Sequence, residues 1–126
     1  MRKLTVLVYA VGMLLISRTS HADPVVFGHN VYLNNAFNLT SLTLIPASAN
    51  TNGAVIQTMV LGCNSGVLAV ATPPTGTAVW ILYCQGAPSS SAATLPAPVY
   101  VPAGWSVSLS NSSTATAGVN MTYDLK

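Results

Sequence analysis

Few side chains in this chain could do chemistry. Beyond position 22 the titratable groups are Asp23, His29, Asp124, Lys126, the cysteines Cys63 and Cys84, and the tyrosines. General acid–base catalysis needs a positioned titratable group, usually paired with a second. Asp23 opens this region and Asp124 and Lys126 end it, and terminal residues are often poorly ordered. A pair of carboxylates flanking a glycosidic bond is therefore not expected. A Ser/His/Asp relay through His29 is formally possible, because serines abound, but no G-x-S-x-G elbow is present. One histidine and two cysteines offer no zinc spacing. His29 alternates with Phe27 and Val31, which predicts a partly buried, satisfied imidazole. The expectation is a protein without catalytic, metal or cofactor residues, hence no enzyme.

Two residue types remain. Cys63 and Cys84, 21 positions apart, are the only cysteines, so no competing pairing exists within one molecule. Each ends an apolar run and shares parity with apolar neighbours, Met59 and Leu61 for one, Trp80 and Leu82 for the other. An intramolecular disulfide is predicted in an oxidising compartment; the alternative is two reduced cysteines packed as small apolar residues. The aromatics Trp80, Trp105, Tyr100, Tyr83 and Tyr32 could line a sugar-binding face. Trp105 alternates with Val107 and Leu109, and Trp80 shares parity with Ala78 and Leu82, which are core patterns. Tyr32 and Tyr100 are the candidates for exposed contact.

The elements that must position these residues read as strands. At the C-terminal end, Trp105, Val107 and Leu109 alternate with serines; Val119, Met121, Tyr123 and Leu125 alternate with Asn120, Thr122 and Asp124. A period of two with one apolar face marks half-buried strands. The Ser/Thr/Ala/Gly stretch between them predicts a hairpin connection. Further strands are expected over 25–33 and 37–45, separated by a turn at Asn34-Asn35, and over 54–61, buried on both faces. The others are 67–71, 77–84 as the most apolar and central strand, and an edge segment over 94–101 that carries prolines. No stretch after position 22 shows a helical period. Seven or eight short strands with Gly/Pro/Asn punctuation predict an all-β fold, a single antiparallel β-sandwich or jelly-roll-like domain. The Cys–Trp–Cys spacing does not fit an immunoglobulin domain.

The chain has 126 residues, which suits one such domain over 23–126 after an N-terminal segment over 1–22. That segment has Arg2 and Lys3, an apolar stretch too short for a bilayer span, and a Ser-His-Ala end. It reads as a signal peptide cleaved before Asp23, with a retained membrane anchor as the alternative. The formal charge of +2 is the sum of +3 in this segment, from Arg2, Lys3 and Arg18, and −1 after it, from Asp23 and Asp124 against Lys126. No basic patch exists to hold nucleic acid. About a quarter of residues are charged in an ordinary soluble domain. A surface made instead of Ser, Thr and Asn gives little colloidal repulsion and suits a protein packed in an assembly.

The ending V-Y-V-P-A-G-W-S-V-S-L-S, the Ser/Thr/Ala/Gly stretch and V-N-M-T-Y-D-L resemble the C-termini of small, charge-poor β-sandwich structural proteins of phages and prophages. The resemblance covers the last quarter of the chain and implies a virion or decoration role. The signal segment and the cysteine pair depart from that pattern and point to a periplasmic, extracellular or cell-surface location. The expected function is a non-catalytic structural or assembly protein that self-associates or docks on a larger assembly. The alternative is a secreted module that binds carbohydrate or another surface.

Overall fold

The computed structural model describes residues 26–86 and 91–126, without the side chains of 35–39 and 112–115, so the segment 1–22 and Asp23 lie outside the described residues. Seven strands are present: β1 Asn30–Ile45, β2 Ala54–Cys63, β3 Val67–Thr72, β4 Val79–Cys84, β5 Ser91–Thr94, β6 Val99–Val101 and β7 Ser106–Leu125. No helix occurs among the described residues. Every strand pairing is antiparallel.

Four rows of backbone make up the sheet. β1 and β7 run side by side for almost their full lengths, from Asn30 opposite Tyr123 to Ile45 opposite Val107. On the other side of β7, β2 and β3 lie end to end: Ala54–Cys63 faces residues 125–117 and Val67–Thr72 faces residues 111–106. The fourth row is β4 along β3, then β5 and β6 along β2. This sheet doubles over near its middle, so two antiparallel halves pack face to face as a β-sandwich. The first half holds β3, β4 and the adjoining ends of β1 and β7. The second holds β2, β5, β6 and the opposite ends of the same two long strands. One core joins them, with Ile45, Val67, Ala69, Val107 and Leu109 from the first half against Ile56, Met59, Leu61, Val119 and Met121 from the second. Each fully buried aliphatic here contributes roughly 1.5–3 kcal/mol.

Four sequence expectations change. The C-terminal hairpin is absent: β7 is one strand. None of its residues adopts a positive φ, and Ser and Thr tolerate extended backbone. The expected turn at Asn34-Asn35 is instead a bulge inside β1, between Asn34 and Phe37. β2 is not buried on both faces. A bulge at Gln57, between Ile56 and Thr58, shifts the core positions from Ala54 and Ile56 to Met59, Leu61 and Cys63. The apolar run 77–84 supplies an edge strand, since β4 pairs with β3 alone among the described residues. The proline-bearing segment after Thr94 forms the continuation of that edge, as expected.

Candidate functional site

Cys63 and Cys84 form a disulfide with Cα atoms 6.2 Å apart, within the usual range. Cys63 ends β2 opposite Ala117, and Cys84 ends β4 opposite Val67. Both are buried. The bridge therefore ties an edge strand of the first half to an inner strand of the second. Among the described residues β4 pairs with β3 alone, so the bridge adds a second tie beside the residues just before Cys84.

Those residues carry two exposed rings. Trp80 is 70% exposed and Tyr83 49%, with ring centroids 6.4 Å apart and planes inclined by 33°. The core position expected for Trp80 is thus overturned. The cause is a β-bulge: Ala69 faces Leu82 while Val70 faces Trp80, leaving Ile81 without a partner. The extra residue reverses the parity of the strand. Leu82 and Cys84 stay on the core side and Trp80 turns outward. Trp80 stands opposite Val70, an outer-face residue that is nonetheless only 8% exposed. Trp105 packs against the core as its alternation predicts.

Register places this pair at one side of a four-strand outer face. Across the strands, Thr43 faces Ser108, Ser108 faces Val70 and Val70 faces Trp80. The neighbouring rung runs Ser41, Ser110, Leu68, Tyr83. Directly paired residues project on the same face, so each rung reads hydroxyl, hydroxyl, aliphatic, aromatic.

The two tyrosines expected at the surface separate. Tyr100 is exposed, with its ring lying over Gly53, whose φ of 103° a side chain would strain. Tyr32 packs against the core, because it pairs with the buried Met121 at the start of β1, where the core face carries the even positions. The odd ones, Val31 and Leu33, point outward and are exposed. His29 is likewise not partly buried: its side chain is 94% exposed.

His29 nonetheless has a partner that its neighbours in sequence do not reveal. Asp124 Oδ1 accepts from the His29 backbone N–H at 2.8 Å and lies 2.6 Å from His29 Nδ1, and Gln57 Nε2 donates to Oδ2 at 2.8 Å. The backbone N–H of His29, then the Gln57 amide, then the His29 ring hold the Asp124 carboxyl well below the usual carboxylate range, against a smaller opposing effect of burial. The bulge at Gln57 brings that amide into reach. Gly28 lies so close to the Tyr123 backbone that a Cβ would collide with it, and its N–H donates to Thr122 Oγ1. This cluster fastens the chain entering β1 to the end of β7.

The second half carries a different outer surface. Gly62 and Gly118 face each other across β2 and β7 and floor a shallow trough of about 230 Å³ between Leu33, Val60 and Asn120. A neighbouring hollow of about 460 Å³ runs from Gly62 past Cys63 to Ser91 and Thr116. Leu33 and Val60 on the walls are exposed. At its margin the edge of β1 is open, since β1 pairs with β7 alone among the described residues. From Asn30 to Asn34 this edge is regular, uncharged and free of proline.

Among the described residues no helix is long and apolar enough to cross a membrane, and no group of His, Cys, Asp and Glu could hold a metal ion. The disulfide is compatible with an exported protein. No protein-family model, curated protein or solved structure matches the chain.

Proposed function

We propose that this protein is a non-catalytic structural subunit, exported to or displayed on a virion or cell surface, that acts by assembling with copies of itself or with a larger protein array. One observation carries the reading: the regular, uncharged edge of β1 over residues 30–34, flanked by the exposed Val31 and Leu33. An unpaired edge is a template for another strand, and proteins that must avoid such pairing place charge, proline or bulges there. The opposite edge of this sheet has such protection in both its parts: β5 and β6 are short and flanked by Pro96, Pro98 and Pro102, and β4 carries a bulge at Ile81. No charged side chain lies within residues 30–34 to oppose a second strand. The disulfide supports maturation in an oxidising compartment.

Light scattering and size exclusion at micromolar concentration test the reading. The wild-type protein is expected to self-associate, and Val31→Lys or Leu33→Lys to shift it to monomer without loss of folding, since both side chains are exposed. A wild-type protein that stays monomeric, or an assembly indifferent to both substitutions, would refute it. A second reading, a module that binds carbohydrate or another surface, is favoured by the exposed Trp80–Tyr83 pair.

A further inference from the structure

The geometry points to a binding platform for a neutral oligosaccharide on the outer face of the first half, centred on Trp80 and Tyr83. This inference rests on the binding-module reading and is independent of assembly through β1.

The two rungs that end in Trp80 and Tyr83 cross four strands, a span of roughly 15 Å, and lie about 7 Å apart along the strands. At one side are two exposed rings with centroids 6.4 Å apart. At the other side are the hydroxyls of Ser41, Thr43, Ser108 and Ser110. Aromatic faces carry partial negative charge and attract the weakly positive C–H groups on the flat face of a sugar ring. Hydroxyls both donate and accept, matching the mixed donors and acceptors of a sugar's rim. Two rings at this spacing accommodate consecutive residues of a chain, and the hydroxyls, two and three strands away beyond Val70 and Leu68, meet residues further along a chain that crosses the strands.

Charge selects among ligands with flat faces. Among the described residues the formally charged side chains are Asp124 and Lys126, and both lie at the end of β7 in the other half. A nucleic acid also stacks on aromatic rings, but its affinity depends on cations that neutralise phosphate, and this face has none. The same deficit disfavours sulfated and uronic acid glycans. A purely apolar ligand gains nothing from the serines and the threonine. A neutral glycan is the chemistry that uses both sides of the face.

The location is also stiff. The bulge at Ile81 aims Trp80 outward, Val70 and Leu68 lie between the rings and the serines, and the disulfide at Cys84 adjoins Tyr83. A rigid flat surface loses little entropy on binding, but it buries little of each sugar, so affinity per site is weak and repeated copies would raise it.

The test titrates the folded, oxidised protein with cellohexaose, chitohexaose and maltohexaose, followed by tryptophan fluorescence and by calorimetry, with heparin and single-stranded DNA as charged probes. At least one neutral oligosaccharide is expected to bind and to perturb Trp80. Trp80→Ala and Tyr83→Ala should each weaken binding at least tenfold while the urea midpoint and oligomeric state stay unchanged, and Trp80→Phe should retain part of it. Val31→Lys should leave binding intact, which separates failure of this platform from failure of assembly. Three results overturn the inference: no binding of any neutral oligosaccharide at millimolar concentration, binding that survives both alanine substitutions, or a preference for heparin or DNA. A change in oligomeric state in Trp80→Ala would also overturn it, by showing the face to be a protein interface.

Discussion

Asn50 sits in the loop between β1 and β2 and is completely buried. Its Nδ2 donates to the carbonyl oxygens of Pro102 at 2.7 Å and Trp105 at 2.9 Å, and its own carbonyl accepts from Gly104 N–H at 2.6 Å. One side chain thus holds the turn that launches β7 and its outward serines. Asn50→Ala keeps the backbone bond and removes both side-chain bonds, at about 1 kcal/mol each. The Trp105 carbonyl also loses this donor; Pro102 keeps the Trp105 N–H at 3.2 Å. A carbonyl stranded inside costs roughly 1–3 kcal/mol. Deleting Oδ1, buried without a hydrogen-bond partner among the described residues, offsets part of this. The expected net loss is about 2–3 kcal/mol, which lowers the urea midpoint by about 1–2 M at the slope of a small domain. Asn50→Asp makes the argument sharper. A carboxylate there meets two carbonyls and no donor, so its folded pKa rises above the unfolded value near 3.9. A raised carboxyl pKa leaves the acid form at ease below about pH 4 and imposes a penalty as pH climbs above that. Relative to wild type at each pH, Asn50→Asp should be close to Asn50→Ala at pH 3 and clearly worse at pH 7. Urea unfolding at both values, followed by tryptophan fluorescence, decides the matter. A loss under 0.5 kcal/mol for Asn50→Ala (a surface-like value), or an aspartate no worse at pH 7 than at pH 3, refutes the reasoning.

The disulfide closes a loop of 21 positions and should stabilise the protein by about 3 kcal/mol in the chain-entropy treatment. Cys63→Ser/Cys84→Ser or reduction should lower the urea midpoint accordingly, and mass spectrometry after alkylation without reductant should find no modified thiol. Asp124 has a depressed folded pKa, so its contribution is complete above the unfolded value near 3.9 and is lost as pH falls through the folded value. Wild-type stability should therefore drop in acid below about pH 4, and Asp124→Asn should show a flatter acid limb in the same urea titration.

The two halves of the C-terminal alternation illustrate what a sequence conveys and what it hides. Val107, Leu109, Ala117, Val119 and Met121 are all odd positions, all apolar and all buried. The same parity holds on both sides of the Ser/Thr stretch, as one strand requires and a hairpin does not. Composition suggested a turn, while phase carried the true signal. The same logic failed at Trp80 because it adjoins a bulge. A single extra residue reverses which face is buried, and nothing in V-W-I-L-Y-C marks where it falls. The disulfide was legible, since two cysteines in a strand-rich chain have one pairing to make. Asp124, Gln57 and His29 were not, because their meeting depends on long-range register and on the bulge at Gln57. Asn50 read as one more polar loop residue: burial in a loop leaves no periodic trace.

β1 and β7 are what make the two outer faces parts of one object. Each long strand contributes to both halves, so the hydroxyl rungs Ser41–Ser110 and Thr43–Ser108 share their backbone with Leu33 and Asn120 at the trough. Assembly through residues 30–34 would engage the second half and leave the first facing outward. Register shifts between Leu39 and Ser41, where β7 carries the extra residues, and between Thr43 and Ile45, where β1 carries one, break the regular pairing in that first half, where continued strand addition would draw the platform into the contact. Bulges twist an edge away from further pairing. The same strand is therefore regular where docking is proposed and irregular beside the platform. A charge-poor surface with two open edges would ordinarily aggregate without limit. Here prolines beside β5 and β6 and the bulge in β4 break one edge, and register shifts confine the regular part of the other to a single short stretch, which favours closed, limited association over a growing fibre.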